Sequence, residues 1–432
     1  MKLAFIYSFE QSSWKSCQTI TKNLMATYKS VSPGSQQKSF DLNDHTTSYE
    51  MLSTAKEITT FLPEKIIIVD HKPHPHKLLD AIHKCYLEKK IKKLPEIIIH
   101  IFGDFTLYSA DWKKIEKALK SYSVKLVCAS DSQKDLVRKF LKNKKVALYK
   151  CPFPVDSSDF YFDQNLRSKH RKALGLTDNQ ILFIYTGRLS LQKKVFDLMI
   201  DFSSYLKISN ADAYLFFAGE FDDLGNPFKG IYGKEGMFFQ NYVKMVENFD
   251  ENTRKRIRYV GNLTTEELRG FYSAGDVFTS LSVHNDEDYG MSPAEAACTG
   301  LPLILSAWAG YRSFKLPNNE CTLIDTSIDV YKLNYDKSQL LKALIITQKN
   351  IGAIRLKRID LQRINNKVLS INDNKPVLKK IIEERVPKFA GFTPLLTELS
   401  KAFNKHPPFI DSKVEYFYSD LYKKIYDSYV SK

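Results

Sequence analysis

Short unbroken runs of Ile, Val, Leu and Phe recur along the first part of the chain, at residues 3–7, 66–70, 97–102, 124–129 and 146–149. Between several of them lie longer stretches whose apolar positions fall three and four apart. A run without polar alternation predicts a strand covered on both faces, as in a parallel sheet, and the stretches between predict amphipathic helices. Cys151-Pro-Phe-Pro-Val155-Asp156, with its two prolines, interrupts the pattern. A second series begins at Arg171-Lys-Ala-Leu-Gly-Leu176 and runs to about Asp325. In it, Leu198, Phe202, Tyr205 and Leu206 give one helix a single apolar face. The fold class is α/β, with two doubly wound domains whose ligands bind beyond the carboxyl ends of the strands. Beyond residue 328 the pattern is largely helical, rich in Lys and Asn, and broken at Pro407-Pro408.

A length of 432 residues suits two or three domains, and 43% hydrophobic content supplies their cores. No apolar run approaches the roughly 20 residues that span a bilayer. The amino terminus reads as a first strand, too short for a secretory signal. Six cysteines, Cys17, Cys85, Cys128, Cys151, Cys298 and Cys321, are scattered without disulfide or metal-ligand spacing, so the expected setting is the cytoplasm.

Charge is uneven. Residues 1–150 carry 26 Lys and Arg against 15 Asp and Glu, whereas the rest of the chain carries 38 against 34. Two readings stay open for the basic first third: solvated lysine-rich helix faces, or an electropositive face for an anionic membrane or an acidic acceptor, peripheral at the inner face of the membrane. Nucleic acid fits poorly, because no reading motif accompanies the charge.

The densest chemistry lies in Glu287-Asp-Tyr-Gly-Met-Ser-Pro-Ala-Glu295-Ala-Ala-Cys-Thr-Gly300-Leu-Pro302. Ser292 suits a helix N-cap and Pro293 the first helical position, while Gly300 and Pro302 stop the helix after about two turns. Amides of Gly290, Met291 and Ser292 then face outward at a partly positive terminus, an anion site. A diphosphate on those amides, with hydroxyl-rich groups near Glu287 and Glu295, describes a nucleotide sugar. Ser292-Pro-Ala-Glu295 also fits a capping box, in which Glu295 only reaches back to the cap. Glu287, in its polar loop, also fits a solvated surface acid.

The string resembles the E-x7-E signature of the family 4, group 1 retaining glycosyltransferases, which have the GT-B fold. Ile181-Leu-Phe-Ile-Tyr-Thr-Gly187-Arg188-Leu189-Ser-Leu-Gln-Lys193-Lys194 resembles that family's strand and G-R-L-x-x-x-K-G turn. Ala213-Tyr-Leu-Phe-Phe-Ala-Gly219, Arg258-Tyr-Val-Gly261-Asn-Leu263 and Ser306-Ala-Trp-Ala-Gly310-Tyr311 match its later strand ends and small-residue loop. The likeness is in order from about Cys151 to Ser313. It implies two Rossmann-like domains facing a central cleft, with a C-terminal helix crossing back to the first. Residues 1–156 would form the acceptor-side domain, joined by a terminal helix at about 412–432. Residues 157–328 would bind the nucleotide sugar, and residues 329–411 would be a mainly helical extension.

By the same resemblance Arg188 and Lys193 bind the diphosphate and Glu287 the donor sugar. Glu295 takes the ribose hydroxyls, and Gly290, Met291 and Ser292 support phosphate or sugar. Leu263 meets the base through its backbone, and His100 contacts the donor, although a strand-end histidine also fits a structural role. Asp104 is a weaker candidate beside it. The implied donor is a UDP- or GDP-sugar, the acceptor a glycan or glycolipid, and no metal is required. No catalytic base is named, because in the front-face mechanism the leaving phosphate takes the acceptor's proton.

Three features sit apart from the family pattern. Lys194 stands where the family usually has Gly. The turn at residues 8–14 has no glycine, leaving Ser12 or Ser13 to cap the next helix. His71, His74 and His76 cluster without carboxylate or Cys ligands at metal spacing. The alternative function is a degenerate GT-B protein serving as a non-catalytic nucleotide- or sugar-binding subunit, against which the four charged residues argue. A sugar-nucleotide epimerase or a phosphorylase fits less well. A metal-dependent GT-A transferase is disfavoured, since Asp286-Glu-Asp288 sits inside the E-x7-E string.

Overall fold

The computed structural model describes residues 1–8, 15–43, 45–69, 75–103, 105–143, 147–228, 234–285, 287–314, 316, 320–329, 333–371, 374–408 and 414–430. Asp104, His71, His74, Ser12 and Ser13 therefore lie outside the described residues. The chain divides into two compact units, one of residues 1–154 and 371–405, the other of residues 155–370 and 406–432.

The first unit holds six parallel strands: β1 (Lys2–Tyr7), β2 (Gln36–Asp41), β3 (Lys65–Val69), β4 (Glu96–His100), β5 (Val124–Cys128) and β6 (Leu148–Lys150), in the order β2-β1-β3-β4-β5-β6. Ile66, Ile67, Ile68, Ile97, Ile98 and Ile99 are fully buried at its centre, as their unbroken apolar runs require. The strand at Gln36–Asp41 has no such run, because it is an edge strand of which only Phe40 is buried.

The second unit repeats the plan with β7 (Ile181–Thr186), β8 (Ala213–Ala218), β9 (Ile257–Tyr259), β10 (Val277–Ser280), β11 (Leu303–Ser306) and β12 (Cys321–Ile324). Its order is β12-β11-β10-β7-β8-β9, so the winding reverses between β7 and β10. Beyond the carboxyl ends of those two strands lies the crevice in which doubly wound sheets hold ligands. At the opposite, amino end, the buried Asp276 carboxylate pairs with Arg167 at 2.7 Å and with Arg355 at 2.8 Å. Arg171 adds a third cation at 3.4 Å.

Two boundaries differ from expectation. Residues 329–411 form no separate extension. Helices Lys375–Glu383 and Pro394–Lys405 belong to the first unit, where they bury Leu378, Ile381, Ile382, Leu396 and Leu399. The fully buried Lys125 of β5 ties the first of them down by donating to the carbonyl of Ile381. The terminal helix Val414–Tyr426, expected with the first domain, belongs to the second unit. Tyr418, Tyr422 and Tyr426 recur at four-residue spacing and form one buried stripe, which closes on the ring of Phe228.

Candidate active site

Six buried residues carry β7 through the core to Gly187, whose φ of 135° turns the chain sharply. At Gly219, the end of β8, a Cβ atom would lie 2.0 Å from the carbonyl oxygen of Gly187, so the two strand ends touch through bare backbone. The Tyr185 hydroxyl donates to the Arg188 carbonyl at 2.7 Å and fixes the turn. The Arg188 guanidinium is held 2.5 Å from Asp222, on the loop after β8. A 3-10 turn, Leu191–Lys193, then brings the Lys193 ammonium to 2.5 Å from the Glu287 carboxylate. Lys194 follows in the left-handed conformation, at φ 55° and ψ 32°.

Glu287 lies on the segment that joins β10 to helix Met291–Cys298. The described residues of this segment are buried: Leu281, Ser282, Val283 and Asn285 are fully covered and Glu287 is 6% exposed. It is therefore no solvated surface acid. Its carbonyls are taken up by neighbours, since Gly310 N–H donates to Glu287 O at 2.7 Å and the Trp308 indole donates to His284 O at 2.8 Å. Gly310 is obligatory there, because a Cβ would sit 2.4 Å from the backbone of Asp288.

The helix starts two residues earlier than its sequence suggests. Gly290, at φ 101° and ψ 81°, is the cap, so Ser292 and Pro293 are the second and third helical residues. Glycine reaches that conformation without strain, and the pyrrolidine ring costs nothing in a first turn that has no amide partners anyway. Three amides at this end have no intrahelical acceptor and face the partly positive helix terminus. Glu295 is not reaching back to a cap. Tyr272, on helix Thr265–Ala274, donates to the Glu295 carboxylate at 3.0 Å and shares its hydroxyl with Thr186 at 2.7 Å. Burial pushes the Glu295 carboxyl up to about 7, against the opposing pull of the Tyr272 hydrogen bond.

The fold thus gathers Arg188, Lys193, Glu287, Gly290, Met291, Ser292 and Glu295 about the reversal point between β7 and β10. Ser292 Oγ would lie 3.7 Å from a Cβ on Gly187, which puts the helix start beside the Arg188 turn. Leu263 stands apart: it is half-exposed, two residues past Gly261, which bonds the Gly219 amide at the end of β8. His100 belongs to the first unit. It is 1% exposed, its Nε2 lies 2.7 Å from the Tyr28 hydroxyl, and burial lowers its pKa to about 3, so the ring is neutral. Asp222 and Tyr272 carry no motif. Only the folded sheet brings them to Arg188 and Glu295.

Residues 167–342 match the model of a family described as glycosyl transferases group 1, a stretch wholly inside the second unit. An uncharacterised glycosyltransferase of Methanocaldococcus jannaschii is 25% identical over 214 residues, 47% of this chain and 48% of that protein. The chain thus spans about half the length of this curated relative. Among solved structures, Anabaena HepE in complex with UDP is similar at a TM-score of 0.64 with 10% identity, over 88% of this chain and 99% of that one. A glycosyltransferase from Rickettsia africae gives 0.61 at 14% identity, over 88% and 98%. WaaG, a glycosyltransferase involved in lipopolysaccharide biosynthesis, gives 0.55 at 15% identity, over 88% and 99%. The architecture, two parallel six-stranded sheets, is the GT-B fold.

Proposed function

We propose that this chain is a retaining glycosyltransferase that moves a sugar from a UDP- or GDP-linked donor to a glycan or lipid-linked acceptor. Its proposed setting is cell-surface polysaccharide or lipopolysaccharide assembly. The observation that carries the proposal is the convergence of Arg188, Lys193, Glu287 and an open helix N-terminus on the reversal point of the second sheet.

Transfer breaks the bond between the anomeric carbon and the diphosphate oxygen and leaves charge on that oxygen. Arg188, Lys193 and the first-turn amides of Gly290, Met291 and Ser292 would stabilise it, which requires no resident metal. Lys193 then exchanges Glu287 for phosphate, and the freed carboxylate accepts hydrogen bonds from hydroxyls of the donor sugar. Glu295 would take the ribose hydroxyls, and the backbone at Leu263 the base. The departing phosphate takes the acceptor's proton, so no side chain has to serve as base. No helix among the described residues is long and apolar enough to cross a membrane, and the basic first unit is assigned to peripheral contact with anionic lipid.

Calorimetric titration of metal-free protein with UDP, GDP, ADP and their sugar conjugates tests this. Selective binding of one base, weakened in Glu295→Ala, supports the proposal and fixes the donor base. Absence of binding to all of them overturns it in favour of a degenerate subunit.

A further inference from the structure

The carboxyl-terminal segment does more than cover apolar surface. It touches the Glu287 segment on both sides of the carboxylate: the Tyr422 hydroxyl lies 3.4 Å from Asn285 Oδ1, and the Tyr429 hydroxyl 3.3 Å from Asp288 Oδ1. Both tyrosines are 1% exposed, and Asn285 and Asp288 are buried with them. The ring of Tyr429 stands edge-on to Trp308 at 5.6 Å, and the Trp308 indole holds the His284 carbonyl.

One short turn, Ala309–Ser313, joins the two structures. Its Gly310 amide binds the Glu287 carbonyl, while its Arg312 guanidinium donates to the carbonyls of Ser428 at 2.9 Å and Val430 at 2.6 Å. The terminal segment is therefore fastened to the same turn that fixes the Glu287 backbone. A loop carrying a sugar-binding carboxylate has to hold it within a fraction of an ångström of its working place, and the cost of displacement is large. Hydrogen bonds to the loop's backbone reach it from β11, the 3-10 turn at Leu191–Lys193, Trp308 and the Ala309–Ser313 turn, and the two tyrosines add contacts to its Asn285 and Asp288 side chains.

We infer that Tyr422 and Tyr429 are positioning residues, and that the terminal segment acts as a clamp that sets the Glu287 carboxylate for the donor sugar. This inference rests on the glycosyltransferase reading for its consequence on turnover, but not for its consequence on the loop. Arg188 is held by Asp222, on the loop after β8 and away from the Glu287 segment, so the clamp should govern the sugar more than the diphosphate.

The experiment uses the full chain with Tyr429→Phe, and separately Tyr422→Phe, each of which removes one hydroxyl and keeps the ring. Hydrogen exchange followed by mass spectrometry should show faster exchange in peptides spanning 285–291 and 309–313, with peptides from β7 and β8 unchanged, which also certifies that the variant is folded. In turnover, kcat should fall about tenfold while affinity for the nucleoside diphosphate alone is unchanged. Unaltered exchange at 285–291 in both variants overturns the clamp. So does an equal loss of diphosphate affinity, which would mark a general loosening of the site. If the wild-type chain binds no nucleotide, the functional reading fails while the exchange result still decides the clamp.

Discussion

Lys193 and Glu287 stand 94 positions apart in sequence, yet their charged groups meet at 2.5 Å, in side chains that are 14% and 8% exposed. The site thus holds its cation and its carboxylate against each other. A donor with both phosphates and hydroxyls can separate them by satisfying each, whereas a nucleoside diphosphate satisfies only Lys193. Glu287→Gln should therefore abolish transfer, by at least about a hundredfold in kcat/KM, while the affinity for nucleoside diphosphate holds or rises. Turnover and calorimetry on the same variant check this, and unimpaired turnover would remove Glu287 from the sugar site.

The diphosphate itself should depend on Arg188 and Lys193. Replacing both with Ala should cost roughly 3 kcal/mol of nucleoside diphosphate binding or more, about a hundredfold in Kd. Asp222→Asn should act in the opposite sense, since it releases the Arg188 guanidinium from a competing carboxylate. Equal affinities for wild type and the double variant would exclude both side chains from the site.

Much of this site was legible in the chain because strand-end motifs are local: a buried apolar run, then Gly187 and Arg188, then Lys193. Helix Met291–Cys298 was legible for the same reason, although its cap was misplaced by two residues, since nothing local says that Gly290 will take a left-handed φ beside Tyr311. Gln36–Asp41 was invisible as a strand because an edge position needs only one buried side chain. Tyr272 and Asp222 were invisible because their roles depend on which strand ends become neighbours. The aromatic stripe of the terminal helix was evident, but periodicity says which face is buried and not against what. Its partner, Phe228, is known only from the fold.

Glu295 makes the site sensitive to pH. Burial raises its carboxyl from 4.5 to about 7, so the folded chain holds this proton more tightly than the unfolded chain. Its stabilising contribution is therefore complete below about pH 4.5 and is lost as pH rises to about 7. Glu295→Gln should remove that slope and gain stability over wild type at pH 8 but not at pH 4, as thermal unfolding would show. The ionised form is the better acceptor for ribose hydroxyls, so nucleoside diphosphate affinity should strengthen as pH rises through about 7 and lose this dependence in the variant. A flat pH profile in the wild type would contradict the assignment.

Asp276 should control acid stability. Burial works to raise its pKa, but Arg355, Arg167 and Arg171 outweigh that and hold it below the usual 3.8. Its contribution is present above the unfolded value of 3.8 and is lost as pH falls through the lower folded one. Asp276→Asn leaves three guanidinium groups around a neutral side chain and should cost about 3–5 kcal/mol in urea unfolding at pH 7. A cost below about 1 kcal/mol would show that the arginines are satisfied by backbone carbonyls alone.

Lys194 offers a test of local strain at the site. It occupies the left-handed region, at φ 55°, directly between the turn that carries Lys193 and helix Val195–Ser209. A side chain with a Cβ is disfavoured there by about 1–2 kcal/mol, whereas glycine is not. Part of that difference is offset because glycine also gains freedom in the unfolded chain, by about 0.4–1 kcal/mol. The Lys194 ammonium is 3.7 Å from Asp197, a pair on one helix turn that contributes little. Lys194→Gly should therefore stabilise the second unit by roughly 0.5–1 kcal/mol in denaturant unfolding. Nucleoside diphosphate affinity separates strain from function: if it is unchanged, Lys194 is only a tolerated departure from glycine. If it falls while stability rises, the strained lysine is itself a third cation for the diphosphate.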